Sequence, residues 1–150
     1  MIAARLLSPV PPLLIWNASA SMPTGLYVLR PQGKVERGAI VVAWLPADMR
    51  GFAARRGYLP ASVPAIKRVA AIAGDLVCAR SGVVAVNGRH VAQARSRDGA
   101  GRPLPSWTGC RRLGQAVLLL GDDPGSFDGR YFGEIDADRV IGTARLLWES

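Results

Sequence analysis

Histidine occurs once in the 150 residues, lysine twice and cysteine twice, and no apolar run approaches the roughly 20 residues a helix needs to cross a bilayer. Each scarcity narrows the chemistry. The one histidine, His90, lies in Val83-Val84-Ala85-Val86-Asn87-Gly88-Arg89-His90-Val91, which reads as a hairpin around an Asn-Gly turn. A Ser-His-Asp triad therefore has no well-placed base. No metal-ligand spacing, phosphate loop or dinucleotide fingerprint occurs, and the adjacent Asp122 and Asp123 have no His or Cys beside them, so they read as solvated turn carboxylates. Neither a metal nor a cofactor is expected.

Arginine makes up 17 of the 19 basic residues, the other two being Lys34 and Lys67. The formal charge of +8 would suit anionic headgroups or nucleic acid. The arginines are scattered singly and in pairs and no DNA- or RNA-binding motif is present, so a nucleic-acid partner is not expected. Lys34 lies in the turn signal Pro31-Gln32-Gly33-Lys34 and reads as a solvated charge.

What the chain has in quantity is short apolar runs, at residues 26–29, 39–45, 66–72, 76–78, 83–86, 116–120 and 140–148, punctuated by Gly, Pro, Asn and Asp. That pattern predicts an all-β sandwich or coiled barrel, with one short helix over residues 48–56. The length suits one domain with a sizeable core. Residues 96–107, rich in Gly, Pro and charge, are the candidate mobile loop.

Lys67 is placed differently from Lys34. Ala65-Ile66 precede it and Val69-Ala70-Ala71-Ile72-Ala73 follow, so its side chain leaves an apolar strand. An unperturbed ammonium near pKa ~10.4 is neutral in about one molecule in a few thousand at pH 7. Desolvation favours the neutral amine, which can act as a base. Arginine cannot take that role, because its pKa stays above ~12. The bland alternative is a strand lysine reaching to the surface. Ser19 and Ser21, in Ser19-Ala20-Ser21-Met22-Pro23, could likewise be ordinary turn residues, but Pro23 confines Met22 to an extended conformation and helps project a neighbouring side chain.

These islands, with Gly121-Asp122 and Ser126-Phe127-Asp128-Gly129-Arg130, occur in the order seen in type I signal peptidases, and the chain resembles that family of Ser-Lys proteases from about residue 15 to its end. Within the family, Asn17-Ala18-Ser19-Ala20-Ser21-Met22-Pro23-Thr24-Gly25-Leu26-Tyr27 looks most like the TraF-type branch that processes conjugative pilin precursors. Type I signal peptidases often carry one more residue between Met and Pro, and the adjacency of Met22 and Pro23 favours the pilin-processing branch.

The resemblance implies a signal-peptidase-like β-sandwich or coiled barrel of antiparallel sheets with one or two short helices. By similarity Ser21 is the nucleophile and Lys67 the base, and Ser19 with the Ser21 N–H forms the oxyanion hole. Ser126 orients the amine, while Asp128 and Arg130 pair to hold their loop. A catalytic domain over residues 17–150 is expected, preceded by an apolar segment over residues 1–16. That segment, Leu6 to Trp16, is 11 residues broken by three prolines, so it is expected to be part of an anchor or to rest on the membrane. It does not read as a removable signal, since cleavage there would take the Ser21 region with it.

The implied setting is the periplasmic side of a bacterial inner membrane, with the membrane surface and an exported precursor as partners, either a pilin or a signal-peptide-bearing protein. Two cysteines in a family that works outside the cytoplasm make Cys78 and Cys110 a candidate disulfide, with two buried free thiols as the alternative. Rival readings are a general signal peptidase, a self-cleaving repressor protease with the same dyad, and a basic β-barrel binding module without chemistry.

Overall fold

The computed structural model describes residues 12–31 and 33–150. Among the described residues eleven strands form two antiparallel sheets, with two short α-helices besides a 3-10 turn at Ala137–Arg139. In order they are β1 (Leu13–Asn17), β2 (Gly25–Arg30), β3 (Ile40–Ala43), α1 (Ala47–Arg55), β4 (Ala65–Ala71), β5 (Leu76–Arg80), β6 (Val83–Val86), β7 (Arg89–Gln93), β8 (Gly109–Arg112), β9 (Ala116–Leu120), α2 (Gly129–Phe132), β10 (Ile135–Asp136) and β11 (Val140–Glu149).

The larger sheet has the order β1-β2-β11-β3-β4-β9-β10, and the smaller has β7-β6-β5-β8. Branched and aliphatic side chains on β4, β9 and β3 suit a pleated, half-buried surface and bury Val41, Val69, Val117 and Leu119 in one cluster. Leu118 and Leu120 point the other way, as period-2 alternation requires, and join Val77, Ala79, Val84 and Val86 of the smaller sheet.

Asp75 fastens the two sheets. Its buried carboxylate accepts from Arg37, from the Ile72 N–H at 2.9 Å and from Asn87 Nδ2 at 2.9 Å. Arg37 is the main cause that holds this carboxyl well below the usual range. Asn87 and Gly88 have φ of 50° and 81°, as a type I′ hairpin turn demands, and this is the Asn-Gly turn read from the sequence.

Cys78 and Cys110 are paired in register between β5 and β8 and their sulfurs are bonded at 2.08 Å. All four residues of β8 are exposed, so this edge strand has little burial to hold it. Closing a 32-residue separation stabilises by about 4 kcal/mol in the chain-entropy account. Alkylation under denaturing conditions should therefore label neither cysteine before reduction and both after it, read by intact mass; labelling without reductant would show free thiols.

Two segments differ from expectation. Leu13 to Trp16, assigned from the sequence to the apolar leading segment, pair with β2, so the boundary drawn between residues 16 and 17 runs through β1. The part of that segment up to residue 11 lies outside the described residues. Residues 96–107 are not a free loop: Asp98 accepts from Arg56 Nη1 at 3.2 Å, Arg102 Nε at 2.8 Å and the Tyr58 hydroxyl. Among the described residues, no helix is long and apolar enough to cross a membrane.

Candidate active site

Asn17, the last residue of β1, shapes the turn that carries Ser19 and Ser21. Its side chain is buried, and Nδ2 donates to the carbonyls of Ser19 (3.0 Å), Met22 (3.3 Å) and Pro23 (3.0 Å), while Oδ1 accepts from the Ser19 N–H at 3.0 Å. The Tyr27 hydroxyl donates to the Pro23 carbonyl at 2.7 Å. These bonds occupy the carbonyls of Ser19, Met22 and Pro23 and so fix the turn. Buried Met22 anchors the turn in the core with Tyr27, Leu29, Val42 and Ile66.

Lys67 lies mid-strand in β4, opposite Val41, with Ala65 and Val69 on its face of the pleat. It is 5% exposed. Its Nζ donates to Ser126 Oγ at 2.8 Å, and Ser126 is itself buried. Burial pushes the Lys67 ammonium down to about 8; the nearby Asp128 carboxylate opposes that shift and Arg130 adds to it. The sign follows from desolvation, which penalises the charged form.

The loop from Gly121 to Arg130 closes over Lys67 through a buried ion pair. Asp128, 1% exposed, accepts from Arg130 Nε at 2.8 Å and Nη2 at 2.9 Å, and also from the Gly121 N–H at 2.7 Å. Arg130 Nη1 in turn donates to the Pro124 carbonyl at 2.8 Å. A buried pair of this kind holds only because its remaining donors and acceptors are satisfied, and no buried polar side-chain atom among the described residues is left without a partner.

Gly121 is required for close approach. A Cβ there would sit 2.2 Å from Ser126 Oγ and 2.8 Å from the Ser21 carbonyl. The Asp123 N–H donates to that same carbonyl at 3.2 Å, tying the serine turn to the Ser126 loop.

Ser21, Lys67, Ser126, Ser19 and Asn17 all line one cleft of about 640 Å³. Leu45, Ala53, Leu59, Val63, Ile66 and Phe127 add apolar surface to its lining. A direct hydrogen bond between Ser21 and Lys67 is not made. Ser21 Oγ bonds Ser19 Oγ at 3.1 Å, and the Ser21 N–H reaches only Ser19 Oγ, at 3.4 Å. Such contacts are commonly loose before substrate binds.

His90 is exposed, with Nε2 at 3.0 Å from the Ala92 carbonyl, and is not in the cleft. Lys34 is solvated and pairs with Glu36 at 3.9 Å. Among the described residues no group of His, Cys, Asp and Glu could hold a metal ion. The residue that sequence reading left without a role is Asn17. Its signal was an Asn two residues before a serine, the spacing at which an Asn carbonyl caps a backbone N–H.

A family model described as signal peptidase, peptidase S26, matches residues 1–149. The plasmid transfer protein TraF of Escherichia coli is 37% identical, the match covering 88% of this chain and 82% of that protein. A probable conjugal transfer protein TraF of Sinorhizobium fredii is 40% identical over 66% of this chain and 53% of its own length. Among solved structures, a signal peptidase I from Enterococcus faecalis is 18% identical, with a TM-score of 0.42 over 73% of this chain and 96% of that one.

Proposed function

Since the chain belongs to the signal peptidase S26 family, we propose that it is a serine endopeptidase with a Ser21-Lys67 dyad, maturing an exported precursor, a conjugative pilin subunit. The observation that carries this reading is Lys67: a nearly dry amine, held by Ser126 at 2.8 Å and opening on the same cleft as Ser21. A lysine buried without a task would cost stability for nothing.

In the proposed reaction Ser21 Oγ turns from Ser19 towards the amine and attacks the scissile carbonyl carbon while its proton passes to neutral Lys67 Nζ. The developing oxyanion takes the Ser21 N–H and the Ser19 hydroxyl. The Lys67 ammonium then protonates the leaving nitrogen as the C–N bond breaks, leaving an ester on Ser21. Ser126 fixes the amine of a side chain with four rotatable bonds, and Asp128 with Arg130 fixes Ser126.

Two further readings support the cellular role. The names of the relatives concern plasmid and conjugal transfer, which fits a pilin precursor as substrate. Trp16 of β1 and Trp148 of β11 are exposed on either side of Leu26 of β2 with their rings 6.0 Å apart, and exposed Leu14 lies on the Trp16 face of β1. Tryptophan is favoured at a membrane–water interface, so this patch would rest the domain on the outer surface of the inner membrane.

The ester on Ser21 can be resolved by water or by an amine held nearby, and a well-placed intramolecular amine outcompetes water through its effective molarity. With the natural pilin precursor, mass spectrometry should find a circular product one water lighter than the matching linear fragment. Linear product alone would remove the cyclising role and favour a general signal peptidase.

A further inference from the structure

We propose that Arg95 is a specificity-determining residue that receives a carboxylate of the substrate within about two residues of the cleaved bond; this rests on the peptidase reading above. Most arginines around the cleft are already committed. Arg56 and Arg102 are both spent on Asp98. Arg97, which lines the cleft, donates from Nη1 to the Gly101 carbonyl at 2.8 Å.

Arg95 also lines the cleft, and its guanidinium makes no hydrogen bond or ion pair among the described residues; only its backbone N–H is used, donating to the Tyr131 hydroxyl at 3.2 Å. That backbone bond holds the base of the side chain against Tyr131, which is buried next to Arg130. Its Nη1 lies 3.5 Å from where a Cβ on Gly125 would stand, and Gly125 directly precedes Ser126, the partner of Lys67. The free guanidinium thus stands beside the loop that carries Ser126, in the same cleft as Ser21 and Lys67.

Neither acid of the cleft, Asp98 or Asp123, forms an ion pair with it. Asp98 is occupied by Arg56, Arg102 and Tyr58, and Asp123 turns Oδ1 to the Gly125 N–H at 2.6 Å. A peptide laid in the cleft would strip water from the Arg95 guanidinium. A carboxylate compensates with two charge-assisted bonds in the fork geometry that a guanidinium offers, whereas a neutral side chain leaves the charge half-desolvated.

The test uses the whole protein and a set of otherwise identical peptides with small residues at the cleaved bond. Glu is exchanged for Gln in turn at the two positions on each side, and a further pair ends shortly after the bond as free acid or as amide. The expected result is a preference of about tenfold in kcat/KM for the acidic member of one pair, reduced in high salt. Arg95→Gln should level that ratio, and Arg95→Glu should reverse it in favour of a Lys-bearing peptide, with thermal unfolding confirming that both variants fold.

Which pair responds separates a side-chain carboxylate from a chain terminus. Equal rates for acid and neutral peptides, or a ratio that survives Arg95→Gln, would overturn this inference while leaving the Ser21-dependent peptidase standing. No cleavage of any peptide by the unsubstituted protein would overturn both.

Discussion

Ser21→Ala is expected to abolish cleavage of peptides with small residues before the scissile bond. Removing the nucleophile of a dyad takes away the only route to the acyl-enzyme, and losses of about a millionfold in kcat are typical when groups act as a unit. The fold should survive, because Ser21 Oγ bonds only Ser19 and the turn is held instead by Asn17 and Met22. Ser19→Ala should lose less, about 3 kcal/mol of transition-state stabilisation, as befits one oxyanion donor. Product release measured against a mock-purified control decides it. Full activity in Ser21→Ala would end the dyad mechanism and revive the reading of a binding module without chemistry.

The second large effect concerns the base. Only neutral Lys67 can accept the Ser21 proton, so kcat/KM should rise about tenfold per pH unit on the acid side and level off above about 8, the value to which burial lowers this amine. Lys67→Arg should be inert at every pH despite keeping the charge.

Stability should respond with the same sign. The unfolded chain takes up the proton at the ordinary value of 10.5 and the folded chain only at about 8, so stability rises with pH between the two, by about 3 kcal/mol in all. Denaturant titrations of the unsubstituted protein and of Lys67→Met should differ in that window. A flat rate profile from pH 6 to pH 9 would show that Lys67 is structural.

Most strands were legible because their chemistry is local. The runs that became β3, β4, β6 and β9 are apolar, β-branched and bounded by turn residues, and Asn87-Gly88 specified its hairpin outright. β1 was not legible: an apolar stretch broken by prolines resembles a membrane-seeking segment until β2 offers it a partner. β8 reads Gly-Cys-Arg-Arg, exposed throughout, with no periodicity to betray it; its place comes from pairing with β5.

In the candidate site, Ser21, Lys67 and Ser126 stood out by residue type and motif. Asn17 did not, because its work is done by hydrogen bonds to carbonyls up to six residues away. The pinning of residues 96–107 by Asp98 was likewise invisible, since Arg56 and Tyr58 are some 40 positions distant in the chain.

The strand order of the larger sheet has a bearing on when this protein can first act. β1 and β2, which frame Ser19 and Ser21, connect by sheet hydrogen bonds to β3 and β4, which carry Lys67, solely through β11. During synthesis both halves of the proposed dyad leave the ribosome early, yet they belong to two unjoined pieces of sheet until the residues of β11 have been added and inserted between them. Contacts of such wide separation in the chain form late, because the entropy of closing the intervening loop precedes any gain from pairing. A half-made molecule would thus hold the serine and the lysine of the proposed dyad on separate pieces of sheet, and β11 is the strand that joins them.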